Sequence, residues 1–148
     1  MKLLRVGNEG REKPAALDKD GNYKDLSSAI ADLNSDTLNF QTIEKIDKLD
    51  LSVLPKLENN SRIGACISKP SKFIGIGLNF TDHAAEIGAK PPSEPIIFMK
   101  ATSSINGPND NIELVSNSKK LDWEVELGII IGKEAKHKIG RASCRERV

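Results

Sequence analysis

An α+β protein built from two successive units is what the sequence predicts, and three patterns carry that prediction. Apolar residues at helical spacing are confined to the first third of the chain. Continuous or alternating apolar runs dominate from residue 72. Between them lies a stretch rich in Pro, Asn and Ser with no period at all. At 148 residues the chain has room for one ordinary domain, or for a small domain and the beginning of a second.

The elements follow in order. KLLRV (2–6) and NYKD (22–25) read as short strands, separated by GNEGREKP and the DKDG turn, a hairpin-like opening. LSSAIADL (26–33) places Leu26, Ile30 and Leu33 at helical spacing, and Phe40, Ile43, Ile46 and Leu49 repeat it, so two helices are expected. Together these form a small N-terminal α+β domain over residues 1–68. The segment 55–72 is an ordered connection. From Lys72 the texture becomes strand-like. FIGIGL (73–78), IIFM (96–99), NIELV (111–115) and LDWEVELGIII (121–131) are four strand candidates. One helix, NFTDHAAEIG (79–88), interrupts them; Asn79 or Thr81 can cap it, Asp82 suits its first turn and Gly88 supplies its stop. The second unit, 69–138, is therefore expected to be mainly β.

Composition removes several classes of function. With 29% charged, 38% hydrophobic and 4% aromatic residues the chain has the balance of a folded globular protein. A formal charge of +1, with Lys and Arg dispersed, gives no footprint for nucleic acid or an anionic membrane. The N-terminus breaks into Gly and charge after Val6, too early for a signal sequence, and no run approaches a membrane span, so a cytoplasmic location is the expectation. Cys66 and Cys144 stand alone, without metal, redox or disulfide spacing.

The last ten residues, IGRASCRERV (139–148), carry three Arg and no periodicity. They read either as a basic tail or as a translated sequencing adapter joined to an incomplete gene. The second reading is preferred, because the strand LGIII just before them calls for sheet partners that do not follow. On that reading residues 139–148 are non-native and the chain is truncated at its C-terminus.

Two constellations could carry chemistry. His83 and Glu86 lie three apart on the expected helix and share a face; a carboxylate beside an imidazole fixes its tautomer and raises its basicity, as a general base acting on water requires. Alone, such a pair is more often a chance neighbour on a surface helix. In LDWEVELG, strand alternation puts Asp122, Glu124 and Glu126 on one face and Trp123, Val125 and Leu127 on the other. That acidic face is either solvated or gathered on a cation. Oxygen donors of this kind select a hard ion, Mg²⁺ first, with Mn²⁺ or Ca²⁺ behind. Lys100 could neutralise a substrate carboxylate or be an ordinary exposed lysine. His137 offers no further ligand of standing. The Gly-x-Gly of GIGLN (75–79) lacks the third glycine and distal acid of a dinucleotide fingerprint.

These same segments resemble the motifs of the fumarylacetoacetate hydrolase family. FIGIGLNFTDHAAEIGA is similar to its GLNYxDHAxE signature, PIIFMKATSSINGPND to its P-x-x-F-x-K segment, and LDWEVELGIIIGKEA to its D-x-E-x-E-L-G strand. The opening MKLLRVG and EKPAALD resemble bacterial members often labelled ureidoglycolate lyase or 2,4-diketo-3-deoxy-sugar-acid hydrolase. The resemblance implies a mixed β-sandwich roll for the second unit, a homodimer, and Mg²⁺ held by three carboxylates, two of them at Glu124 and Glu126 and the third beyond this chain. It implies that His83 and Glu86 activate water and that Lys100 lines the pocket rim, while Phe80 stands where Tyr is usual. The activity expected is metal-dependent hydrolysis of a carbon–carbon bond in a short 2,4-dioxo acid. Ureidoglycolate lyase, oxaloacetate or acylpyruvate decarboxylase and dienoate isomerase are alternatives on the same site, and an inactive fragment or non-catalytic binding protein is the alternative outside enzymology.

Overall fold

The computed structural model describes residues 1–134 and 136. The expectations placed on residues 139–148, on Cys144 and on His137 lie outside the described residues. The chain divides into two compact units: Met1–Ser68 together with the chain from Asn106 onward, and Lys69–Ile105.

The first unit begins with an antiparallel meander of β1 (Lys2–Val6), β2 (Lys13–Leu17) and β3 (Tyr23–Asp25). Its register pairs Lys2 with Leu17 and Val6 with Lys13, then Ala15 with Asp25 and Leu17 with Tyr23. The central strand β2 was not anticipated, because Pro14 made EKP look like turn. The register explains its tolerance: Pro14 pairs with Arg5 but lies one residue outside the β2–β3 ladder, so its missing N–H costs no bond there. Its carbonyl accepts the Leu26 amide at 2.9 Å. The turn before β3 is closed by Asp18, whose carboxylate accepts the amides of Asp20 and Asn22, with Gly21 at φ 82°.

The helix expected over 26–33 does not form, and this part of the sequence reading is corrected. Its apolar residues are nonetheless core: Leu26, Ile30 and Leu33 bury with Ala16, Leu38 and Ile46. After one hydrogen-bonded turn at Leu26–Ile30 the backbone is diverted by short polar side chains. Asp32 accepts the Leu33 amide, and Asn34 accepts those of Asp36 and Thr37. Such local bonds compete directly with a helical ladder. The second expected helix is present as α1 (Phe40–Asp47), capped by Asn39, whose side chain accepts the Thr42 amide at 3.0 Å. A 3₁₀ turn follows at Leu51–Val53.

Five charged side chains tie this unit together. Arg5 donates to both oxygens of Asp32 at 2.7 and 3.1 Å and to Glu12 at 3.2 Å. Arg62 meets the other oxygen of Glu12 at 2.8 Å and forks onto Asp110 at 2.7 and 2.6 Å. The order Asp32, Arg5, Glu12, Arg62, Asp110 alternates in sign, so each cation lies between two anions. Gly64 and Gly107 leave the space: an added Cβ would stand 2.7 Å from a Glu12 oxygen at the first and 2.5 Å from an Asp110 oxygen at the second.

The second unit contains β4 (Phe73–Gly77), α2 (Thr81–Glu86) and β5 (Ile96–Lys100), followed by a 3₁₀ turn at Thr102–Ser104. β4 and β5 form an antiparallel ribbon in which Phe73 faces Lys100, Gly75 faces Phe98 and Gly77 faces Ile96. Strand alternation places those six residues on one face and Ile74, Ile76, Ile97 and Met99 on the other.

The strands expected at 111–115 and 121–131 are not formed among the described residues. The alternation of LDWEVELG is real, but a strand exists only through its ladder, and no described segment pairs with these backbones. Ile130 packs against the core of the first unit, but most of the other apolar side chains of these segments stand in solvent, Trp123 at 91% and Val125 at 95% exposure. Among the described residues no helix is long and apolar enough to cross a membrane.

Candidate functional site

The helix that carries His83 opens from the end of β4 through a sharp corner. Leu78 adopts φ 48°, a left-handed conformation that a branched side chain takes only when its surroundings impose it. α2 then starts at Thr81 with Phe80 as its N-cap residue and no capping side chain; neither Asn79 nor Thr81 provides the expected bond. Asp82 accepts the His83 amide at 3.0 Å in the first turn, where a negative charge also suits the helix dipole. Gly88 ends the helix at φ 68°, as its position suggests, and its amide bonds back to the Ala85 carbonyl.

On this helix His83 Nδ1 and Glu86 Oε2 are 3.6 Å apart. The i, i+3 spacing makes them neighbours, and the separation is that of an ion pair once the imidazole is protonated, slightly beyond a hydrogen bond. Both side chains are open to solvent, and Ala84 alone anchors the helix by burial. The arrangement can hold a proton at the imidazole and fix the ring's orientation through the carboxylate.

Lys100 ends β5, and its Nζ stands 5.5 Å from the centre of the Phe73 ring on the facing strand. Phe73 begins β4 and α2 follows its other end, so Lys100 and the helix lie toward opposite ends of the ribbon. Among the described residues no hydrogen bond or ion pair joins Lys100 to His83 or Glu86.

Glu124 and Glu126 lie in a stretch of the first unit without regular secondary structure, both exposed. Among the described residues neither takes part in a hydrogen bond or ion pair, so their oxygens are uncommitted. Two monodentate or bidentate carboxylates of this type suit a hard cation that keeps several waters. No group of three or more His, Cys, Asp or Glu side chains is gathered among the described residues. In donor chemistry the two glutamates fit a divalent ion; they do not by themselves complete a cage.

The glycines of the GIG motif make room for close neighbours on the facing strand. A Cβ on Gly75 would run into the Phe98 ring, and one on Gly77 would stand 3.2 Å from the Ile96 side chain. Phe98 thus lies across the bare backbone of the facing strand, which accounts for the small residues without any phosphate ligand. The ion chain of Arg5, Glu12, Asp32, Arg62 and Asp110 was also unforeseen. A recess of about 410 Å³ beside Arg62 and Asp110, walled by Tyr23, Asn59, Asn60 and Ser61, contains none of the residues singled out from sequence.

Comparison with known proteins agrees with the motifs. Residues 72–146 match the family model described as fumarylacetoacetate (FAA) hydrolase, C-terminal. Over 136 residues the chain is 51% identical to a protein of Burkholderia ambifaria and 52% identical to one of Burkholderia multivorans, both provisionally designated hydrolases. Each match covers 92% of this chain and 48% of the relative, so the chain spans about half the length of the curated proteins it matches. Among solved structures it is similar to the fumarylacetoacetate hydrolase of psychrophilic Exiguobacterium antarcticum, with a TM-score of 0.74 and 29% identity over 99% of this chain and 52% of that one. It is also similar to a Mycobacterium smegmatis protein provisionally assigned as HpcE, with a TM-score of 0.60 and 26% identity over 78% of this chain and 41% of that one. The matched fold is α+β, and the matched segment holds the HxxE helix, the F-x-K strand and the acidic E-x-E run in one order. The chain belongs to the fumarylacetoacetate hydrolase family.

Proposed function

We propose that this chain carries part of the active centre of a divalent-metal-dependent hydrolase that cleaves a carbon–carbon bond in a short 2,4-dioxo acid. The observation that carries the proposal is the pairing of His83 with Glu86 at 3.6 Å on a short helix set directly at a strand end. In this reading Glu124 and Glu126 hold Mg²⁺, with Mn²⁺ or Ca²⁺ as substitutes of the same hard class. The chemistry a bound cation supplies there is Lewis-acid polarisation of the substrate's 2-oxo end.

The chain's own residues do the rest. His83, oriented by the Glu86 carboxylate, takes a proton from water at its free ring nitrogen as the water attacks the distal carbonyl. The same imidazolium then returns the proton to the departing carbon fragment. Lys100 holds the substrate carboxylate by charge. Full-length assembly as a homodimer in the cytoplasm belongs to the same proposal.

The test is a full-length version carrying this sequence, assayed with an acylpyruvate by loss of the dioxo absorbance. Hydrolysis that requires Mg²⁺ and disappears in Glu124→Gln is the expected result. Activity and Mg²⁺ dependence that survive Glu124→Gln would overturn the metal assignment.

A further inference from the structure

We propose that Phe73 is a positioning residue for Lys100, holding its ammonium over an aromatic face at the end of the β4–β5 ribbon so that its charge stays free for a substrate carboxylate. The inference rests on the reading of Lys100 as a substrate-binding group. Phe73 and Lys100 are direct partners in the antiparallel register, and Nζ lies 5.5 Å from the ring centroid. That is within the reach of about 6 Å over which a ring quadrupole attracts a cation.

The alternatives to a ring serve a binding lysine less well. A loose lysine loses rotamer freedom when the substrate docks. A carboxylate partner would restrain it but compete with the substrate for the charge. Among the described residues no carboxylate pairs with Lys100, and the ring restrains it without neutralising it. Phe98, two residues back on the same face, is already committed to the bare backbone at Gly75. An Ile or Val at position 73 would also suit the strand but would offer the ammonium no ring face.

Nuclear magnetic resonance on the 148-residue chain gives a readout independent of activity. Ring current from Phe73 moves the Lys100 Hε protons upfield of the other lysines. Phe73→Leu, which keeps apolar bulk, abolishes that shift, and Phe73→Tyr keeps it; cross-strand contacts between β4 and β5 verify that the ribbon persists in each variant. In the full-length version Phe73→Leu raises KM by about two- to five-fold with kcat little changed, and Phe73→Tyr restores it. Lys100 Hε protons that coincide with those of other lysines overturn the inference. So does an unchanged KM in Phe73→Leu when Lys100→Ala raises KM strongly. A harmless Lys100→Ala instead overturns the reading of Lys100 itself, and the positioning role with it.

Discussion

Glu12 and Arg62 meet at 2.8 Å although 50 residues separate them in sequence, and the Glu12 side chain is only 5% exposed. Its second oxygen is taken by Arg5, so one buried carboxylate joins two guanidiniums. Glu12→Gln leaves both cations facing a neutral amide. Removing one partner of a fully buried pair costs about 3–5 kcal/mol; with Arg62 still 27% exposed, a loss of roughly 2–3 kcal/mol is expected. Urea unfolding of the two proteins measures it, and an unchanged midpoint would show that the chain of charges contributes nothing to stability.

The same groups predict how stability varies with pH. Burial pushes the Glu12 carboxyl up, but the hydrogen bond from Arg62 and the fields of both arginines outweigh it and bring it below its ordinary 4.5. At Asp32 burial is likewise outweighed, chiefly by Arg5, and at Asp110 the Arg62 hydrogen bond leads; both fall below 3.8. Carboxyls lowered in the folded state bind fewer protons than in the unfolded chain, so their contribution is complete above about pH 5 and is lost as pH falls through 4.5 and 3.8 and below. Thermal denaturation from pH 7 to pH 3 should show a falling midpoint in that window, and Glu12→Gln should flatten the upper part of the decline.

How much of this was legible in sequence depends on whether the deciding interaction was local. The i, i+3 spacing of His83 and Glu86, the apolar spacing of Phe40, Ile43 and Ile46 in α1 and the Gly88 stop of α2 are settled within one or two turns, and the chain shows them directly. Leu26, Ile30 and Leu33 were recognisable as core, but their helix was not to be had, because Asp32 and Asn34 spend their side chains on nearby amides. β2 was hidden by Pro14, whose tolerance depends on where the β3 ladder begins. The ion chain had no signal at all: five scattered charges acquire meaning only when the fold collects them. Trp123 to Leu127 show the converse, a clear period that forms no strand among the described residues for want of a pairing edge.

The acid/base reading makes an ordered kinetic prediction. In a full-length version His83→Asn should lower kcat by about 10²- to 10⁴-fold, the usual contribution of a positioned general base. Glu86→Gln keeps the helix and the ring but removes the charge that orients it, so a smaller loss of about 10- to 100-fold is expected. Steady-state kinetics checks the order. Equal losses in both variants would mean that the two groups act as one unit, and a larger loss in Glu86→Gln would make the carboxylate the base.

Gly75 and Phe98 make a prediction about the ribbon from which this helix leads off. A methyl group at position 75 would meet the Phe98 ring well inside contact distance, but Phe98 is 44% exposed and its ring can swing outward. Gly75→Ala should therefore cost about 1 kcal/mol, at the low end of overpacking, and move the ring and not the backbone. Phe98→Ala alone uncovers the bare strand. Combining the two should cost less than the sum, because the added methyl then fills the space the ring has left. A double-mutant cycle by urea unfolding tests this. Strict additivity would mean that the ring does not lie on Gly75 in solution, and the glycines of the GIG motif would then need another explanation.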